Sequence, residues 1–403
     1  MIKYNTYKNS GIDWLGEIPE HWDLGRIKDI TKKIGSGVTP KGGSEIYVDK
    51  GIPFLRSQNI YNDGLRIDDV SFITETIHSK MRNSQLKPND ILINITGASI
   101  GRTCIVPLDL KEGNINQHII YVRCKESIVP FVSNYFKTNT IKEHINRIQA
   151  GTSKEALNMG QVLTIPIVIP PLKEQKTIAT YLDRKTKAID QKINLLTQKT
   201  AKYKELRKAI INQTVTKGLD KTVKLKDSGI EWIGEIPEHW EVKRLKDLTI
   251  ISTGSKNSED YDNDGTYPFF VRSPNIKKIN TFSYEGEAVL TAGDGDIGKI
   301  FHYINGKFDV HQRVYCVSGF NNKLNAKYFY YYLSSKLYNQ AMINNSNSIV
   351  NSLRLPLFRN FEIIISSTKE EQTGIANYLD EKTGTIDAIV SNIKSQINHV
   401  KRW

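Results

Sequence analysis

SGIDWLGEIPEHWD, residues 10–23, returns as SGIEWIGEIPEHWE, residues 228–241, with only conservative changes at Asp13/Glu231, Leu15/Ile233 and Asp23/Glu241. RIKDIT from Arg26 reappears as RLKDLT from Arg244, at the same offset of 218 residues. Further along, IPFLRSQNI (52–60) faces YPFFVRSPNI (267–276), and DILINITGASIGR (90–102) faces EAVLTAGDGDIGK (287–299). Near the end of each copy, EQKTIATYLD (174–183) faces EQTGIANYLD (371–380), now at an offset of 197. Such ordered self-similarity means that one framework is written twice. The offset falls between Asn275 and Glu287, so the first copy carries an insertion near residues 61–90 that the second lacks. A shared scaffold with divergent middles suits two different recognition surfaces better than two equal active sites.

Each copy closes on a long periodic segment. From Glu174 to about Val215 there is no Gly or Pro, and Leu182, Ile189, Leu196, Tyr203 and Ile210 recur at every seventh position, with Ile193 and Leu206 widening the stripe. The second copy keeps the heptad in Leu379, Ile386, Ile393 and Val400, with Val390 and Ile397 between them. This spacing predicts two helices whose apolar stripes cover one another, packing into a globular core being the alternative. A folded domain lies between them, so an antiparallel pair is expected. At 1.5 Å per residue the first helix is roughly 60 Å long, nearly two turns of B-DNA, and could act as a ruler. Trp403 aligns with Leu206, so the second helix stops short and would leave the last turns of the first without cover.

A chain of 403 residues suits two or three domains, each with its own core. The divisions expected are 1–172 and 228–368 for the globular copies, 173–216 and 369–403 for the helices, and 217–227 for a linker. Lys and Arg total 56 against 43 Asp and Glu, a formal charge of +13 that favours a polyanionic partner such as nucleic acid. Residues 174–226 carry 14 Lys and Arg against 5 Asp and Glu, which on a coiled coil reads first as a solvated face. From Asp227 onward 20 basic residues meet 21 acidic ones, so bulk charge does not make the second half a DNA domain. Its stretch SEDYDNDG (258–265) would repel phosphate, and any binding face there must be local. Cys104, Cys124 and Cys316 show neither CxxC spacing nor a His cluster, which argues against a metal site or disulfide framework. No apolar stretch resembles a signal peptide or a membrane span, and a cytoplasmic protein with no membrane partner is expected.

Apolar runs such as DILINIT, HIIYVRC and TIPIVIP, separated by Gly, Asn and Pro turns, with a helix near 130–148 or 325–342, predict α+β halves with substantial sheet. The RS-x-NI segments offer Arg56, Gln58 and Asn59 in one copy and Arg272 and Asn275 in the other, side chains that can fork onto guanine or adenine edges. Structural turns also use these residue types. Arg102 and Lys299 hold equivalent places after a predicted tight turn, where a cation could reach a phosphate. Lys32, Lys33 and Lys41, beside Gly35, Gly37, Gly42 and Gly43, suggest a flexible basic loop that could clamp the backbone or simply move. No catalytic set is found. GDGDIGKI (293–300) has phosphate-loop spacing, but Ile300 replaces the hydroxyl that would hold magnesium, and a strand is expected to follow. Glu241 and Lys243 form an ExK without a partner carboxylate, and His21 and His239 lie in an aromatic framework segment where packing is the expected role.

These features together resemble the specificity subunits of type I restriction-modification systems over essentially the whole chain. GI(D/E)W(L/I)GEIPEHW opening each half, the GASIGR turn and IPPLKEQKTIATYLD carry the resemblance. It implies two pseudo-symmetric target-recognition domains separated by two long antiparallel coiled-coil helices, reading the two parts of a split site in double-stranded DNA. It also implies two methyltransferase subunits and ATP-dependent restriction subunits as partners. S-adenosylmethionine, ATP and Mg would then serve those partners, leaving this chain non-catalytic. A coiled-coil scaffold whose globular halves bind protein is the reading from another class.

Overall fold

The structure, a computed structural model, describes residues 4–40, 42–149, 156–343 and 352–401. The chain divides into two compact units, Met1–Asp190 and Gln191–Trp403, and the division falls within one long helix, Leu172–Lys217.

In the first unit the apolar runs ILIN and IIYVRC become central strands, which suits segments buried on both faces. The strands Thr103–Ile105, Ile91–Asn94, Ile119–Cys124 and Thr31–Ser36 pair in that order, all antiparallel. A second sheet sets Ile52–Leu55 parallel to Asn114–Ile115 and antiparallel to Ser71–Ile73. In the second unit Phe301–Val310, Tyr284–Ala292, Val314–Ser318 and Ile250–Thr253 repeat the first order. Here Phe301–Val310 is long enough to pair also, in parallel, with Tyr267–Phe270, so a single six-stranded sheet results. The first unit interrupts the corresponding strand with VPLDLKEG (106–113), where Pro107 has no N–H to give a ladder.

Lys32 and Lys33 are exposed residues of the strand Thr31–Ser36, and Lys33 lies opposite Arg123. The flexible basic loop expected from the glycines is therefore corrected. A Cβ on Gly35 would stand 2.5 Å from the Tyr121 ring, and one on Gly37 would stand 2.0 Å from the Asn116 carbonyl oxygen. These glycines permit close packing rather than motion. Lys41 lies outside the described residues.

The repeated EIPEHW segment has a structural role in both units. Glu174, in the first turn of the long helix, accepts hydrogen bonds from the Tyr4 hydroxyl (2.9 Å) and Trp22 Nε1 (3.0 Å) and meets His21 Nε2 at 2.7 Å. Glu371 repeats this with Trp240 Nε1 (3.1 Å) and His239 Nε2 (3.0 Å). About two helical turns beyond Gln175 and Gln372, which are buried, Asp183 accepts from Asn134 Nδ2 (3.3 Å) and Asp380 from the Tyr331 hydroxyl (2.8 Å). The duplicated motif thus fastens each globular fold to the root of its helix. His21 and His239 belong to these fastenings.

The long helix begins after Pro170 and Pro171, with the Glu174 N–H bonded to the Pro171 carbonyl, and stops at Gly218, whose φ is +73°. Its 46 residues make it about 69 Å long. The C-terminal helix Lys369–Val400 is capped by Thr368, whose hydroxyl accepts from the Glu371 N–H. Within the second unit the two run antiparallel. Lys192 shares a groove with residues 388–400, Arg207 pairs with Asp387 at 3.2 Å, and Ile210 lines a pocket with Tyr378. Leu379, Ile386, Val390 and Ile393 are buried, while Ile397, Val400, Ile189, Ile193, Leu196, Tyr203 and Ile210 are half-buried.

Three expectations about the helices need correction. Leu206 is 47% exposed, because the inward positions are Ile193, Leu196, Thr200, Tyr203, Arg207 and Ile210, and Leu206 falls one residue off that row. Leu182 is 39% exposed, within residues 180–188, which are all exposed. The last turns of the long helix are not bare. Ile211 and Val215 join the core of the second unit with Trp240, Ile375 and Leu379, since in an antiparallel pair they lie beside the start of the C-terminal helix and not its end.

Candidate nucleic-acid interface

Parallel pairing of two strands brings their equivalent ends to the same edge of a sheet. In the first unit this sets the RS-x-N loop, which follows Ile52–Leu55, beside residues 116–118, which follow Asn114–Ile115, with the Asn116 N–H bonded to the Leu55 carbonyl at 3.0 Å. Residues 95–102, which include the GASIGR turn, join them. The Ile95 N–H bonds to the His118 carbonyl (3.0 Å), and the Asn94 amide reaches the Ser57 carbonyl (2.8 Å) and the Ser99 hydroxyl (3.0 Å). The second unit builds the same edge. The His311 N–H bonds to the Phe270 carbonyl and the Gly293 N–H to the Arg313 carbonyl, both at 2.9 Å. Three loops far apart in sequence therefore meet at one place, twice.

What the two edges carry differs. In the first unit Gln58 is exposed and Arg56 half-buried. Asn59 is 2% exposed and committed to backbone, accepting from the Arg56 N–H and donating to the Arg66 carbonyl, both at 2.9 Å. It shapes the loop and has no amide edge left for a base. Asn275, its counterpart, is exposed. The difference arises because the insertion begins with the hairpin Ile60–Tyr61 and Gly64–Leu65, which folds back over Asn59. The same hairpin brings Tyr61 to two cations, with Arg66 4.9 Å and Arg102 5.0 Å from its ring centroid. Arg66 also pairs with Asp63 at 2.6 Å. Lys33 lies along its strand away from this edge, opposite Arg123.

In the second unit Arg272 and Arg313 share the Asp294 carboxylate, at 2.7 and 2.8 Å. Burial pushes this carboxyl up, but the hydrogen bonds from Arg313 and Arg272 outweigh it and hold the group below the usual range. Burial, with Arg272 and Arg313 close by, keeps His311 below the usual imidazole range. Lys299 is exposed and paired with Asp296 at 2.8 Å. It holds the place of Arg102, each just beyond a glycine of positive φ, Gly298 or Gly101. The sequence reading missed Tyr61, Arg66, Asp294, Arg313 and the 116–118 turn. The last had a legible signal, since INQHIIYV (115–122) and VHQRVYCV (310–317) align.

The phosphate-loop reading of GDGDIGKI fails on geometry, because Asp294 is held by two arginines and the strand Phe301–Val310 follows. Glu241 pairs with Lys243 at 2.8 Å on the strand Glu241–Arg244. Among the described residues no group of three or more His, Cys, Asp or Glu is placed to hold a metal, and no helix is long and apolar enough to cross a membrane.

The chain matches the family model for the type I restriction modification DNA specificity domain twice, over residues 19–199 and 237–399. It is similar to the type I restriction enzyme MjaVIII specificity subunit of Methanocaldococcus jannaschii, 24% identical over 412 aligned residues covering 96% of this chain and 91% of the relative. A chain solved in work on complex assembly and conformational transition of the type I R-M system superposes with a TM-score of 0.72 at 16% identity, covering 96% of each chain. The HsdS subunit from Thermoanaerobacter tengcongensis gives 0.56 at 15% identity, again over 96% of each. These two structural likenesses speak for the fold.

Proposed function

The chain belongs to the type I restriction modification DNA specificity family, and from that premise we propose that each unit reads one half of a split DNA target through its three-loop edge. As a specificity subunit it acts in a complex with DNA and other restriction-modification subunits. The observation that carries the proposal is the repetition of one edge with unlike side chains, Gln58, Tyr61, Arg66 and Arg102 in one unit and Arg272, Asn275 and Arg313 in the other. Arg, Asn and Gln provide the donor and acceptor sets that direct readout of base edges uses, and exposed cations supply phosphate contacts. The finer assignment is that two methyltransferase subunits and ATP-dependent restriction subunits supply the chemistry, with S-adenosylmethionine, ATP and Mg bound by them and this chain non-catalytic.

The test is genome-wide adenine-methylation mapping in cells carrying the cognate modification subunits, with and without this chain. A split motif that appears only with the chain is expected. Identical methylation in both, with the modification subunits assembled and active, would overturn the proposal in favour of a scaffold role.

A further inference from the structure

The second unit holds an ion cluster that neither the repeat nor the family match assigns. Arg272 follows Tyr267–Phe270, Arg313 precedes Val314–Ser318, and Asp294 lies on the turn between Tyr284–Ala292 and Phe301–Val310. Each arginine gives one Nη to a different oxygen of the carboxylate, at 2.7 and 2.8 Å. Asp294 is mostly covered, at 19% side-chain exposure, whereas Arg272 is 39% and Arg313 60% exposed.

This cluster is not required to close the loops. Backbone hydrogen bonds already do so, from the His311 N–H to Phe270, the Gly293 N–H to Arg313 and the Leu353 N–H to Gly293. What the carboxylate adds is a fixed orientation for two guanidiniums that would otherwise repel one another. A guanidinium has five N–H donors, and each of these uses a single Nη on Asp294, so donors remain for a ligand. In the first unit Gly97 stands in the place of Asp294 and His118 in that of Arg313, with His118 Nδ1 2.8 Å from the Thr96 hydroxyl. Among the described residues the charged device belongs to the second unit alone.

We infer that Asp294 is a positioning residue that presents Arg272 and Arg313 as a paired fork to guanine in the second half-site. This rests on the reading that the second unit contacts half of a DNA target. A guanine edge offers O6 and N7 to one guanidinium, and a bidentate pair of this kind discriminates against the wrong base. Phosphate oxygens share the acceptor chemistry, and the experiment separates the two.

Methylation motifs would be mapped for the wild-type chain, D294N, R313K and R272K, each with its modification subunits, and DNA affinity measured across salt for the assembled complexes. D294N is expected to relax one guanine-bearing position of the second half-site by about fivefold or more, with the first half-site unchanged. R313K and R272K keep the charge but lose the fork, so they are expected to relax the same half-site with non-specific affinity close to wild type. They also keep the test open if D294N fails to assemble. An unchanged second half-site in these variants, or equal weakening on all sequences with altered salt dependence, would overturn the inference and leave a structural ion pair or a phosphate contact. A wild-type chain that directs no split motif would instead remove the proposed function, and this inference with it.

Discussion

Tyr61, Arg66 and Arg102 bring two cations to one exposed ring at the start of the insertion. Stacked guanidiniums lose little freedom on meeting a phosphate, so R66A and R102A are each expected to weaken binding on all sequences and lower the salt slope by about 1. A salt titration of DNA binding by the assembled complex checks this, and a loss confined to one base position would sink it. Y61A should reproduce part of both effects by freeing the two side chains. Arg102 was legible as a candidate because the GASIGR turn recurs as GDGDIGK. Tyr61 and Arg66 were not, because the insertion has no second copy to compare. Glu174 makes a different prediction. Burial raises its carboxyl, but hydrogen bonds from His21, Trp22 and Tyr4 more than compensate, so the net shift is downward. The stability it contributes is therefore present above the ordinary glutamate range, near 4.3, and is lost as pH falls through its depressed value. E174Q is expected to cost about 1–2 kcal/mol at pH 7 and to flatten the acid limb of a plot of melting temperature against pH. An unaltered acid limb would show that the fastening carries no charge-dependent stability.

The helices were the most legible elements, since a heptad declares its face by period alone. The outward-facing Leu182 and the polar members of the seam escaped. Thr200 and Arg207 take inward positions that the apolar pattern does not mark, and Leu206, one residue from Arg207, faces outward. Asn59 escaped for a related reason: Asn59 and Asn275 look equivalent in the RS-x-NI pattern, and only the hairpin at Tyr61 buries one of them. The seam itself is testable. I386A or L379A, each removing a buried side chain, should cost about 2–5 kcal/mol in chemical denaturation. L182A and L206A, on exposed positions, should change stability by no more than about 0.5 kcal/mol. A large loss in L206A would mean that the inward row had been assigned one residue out of place.

Duplication made the architecture readable, because the second copy shows which segments belong to the frame and which are free to vary. The edges proposed to read DNA carry unlike side chains, and their three loops meet through parallel strand pairing that local patterns do not reveal. Between the copies the frame supplies one continuous helix of 46 residues, which is the element to alter in testing whether helix length sets target spacing. The place to alter it is the exposed stretch 180–188, because the paired positions from Ile193 onward keep their register there. Seven added residues after Lys187 preserve the heptad face to within about 20° and lengthen the helix by about 10.5 Å. At about 3.4 Å per base pair the gap between half-sites should grow by about three base pairs, while both half-sites stay the same. Methylation mapping reads this directly, with the unaltered chain run alongside. If the insertion variant assembles and methylates with the original gap, helix length does not set the spacing and another element must. If the half-sites themselves change, the units are not independent readers, and the repeated edges act as one surface.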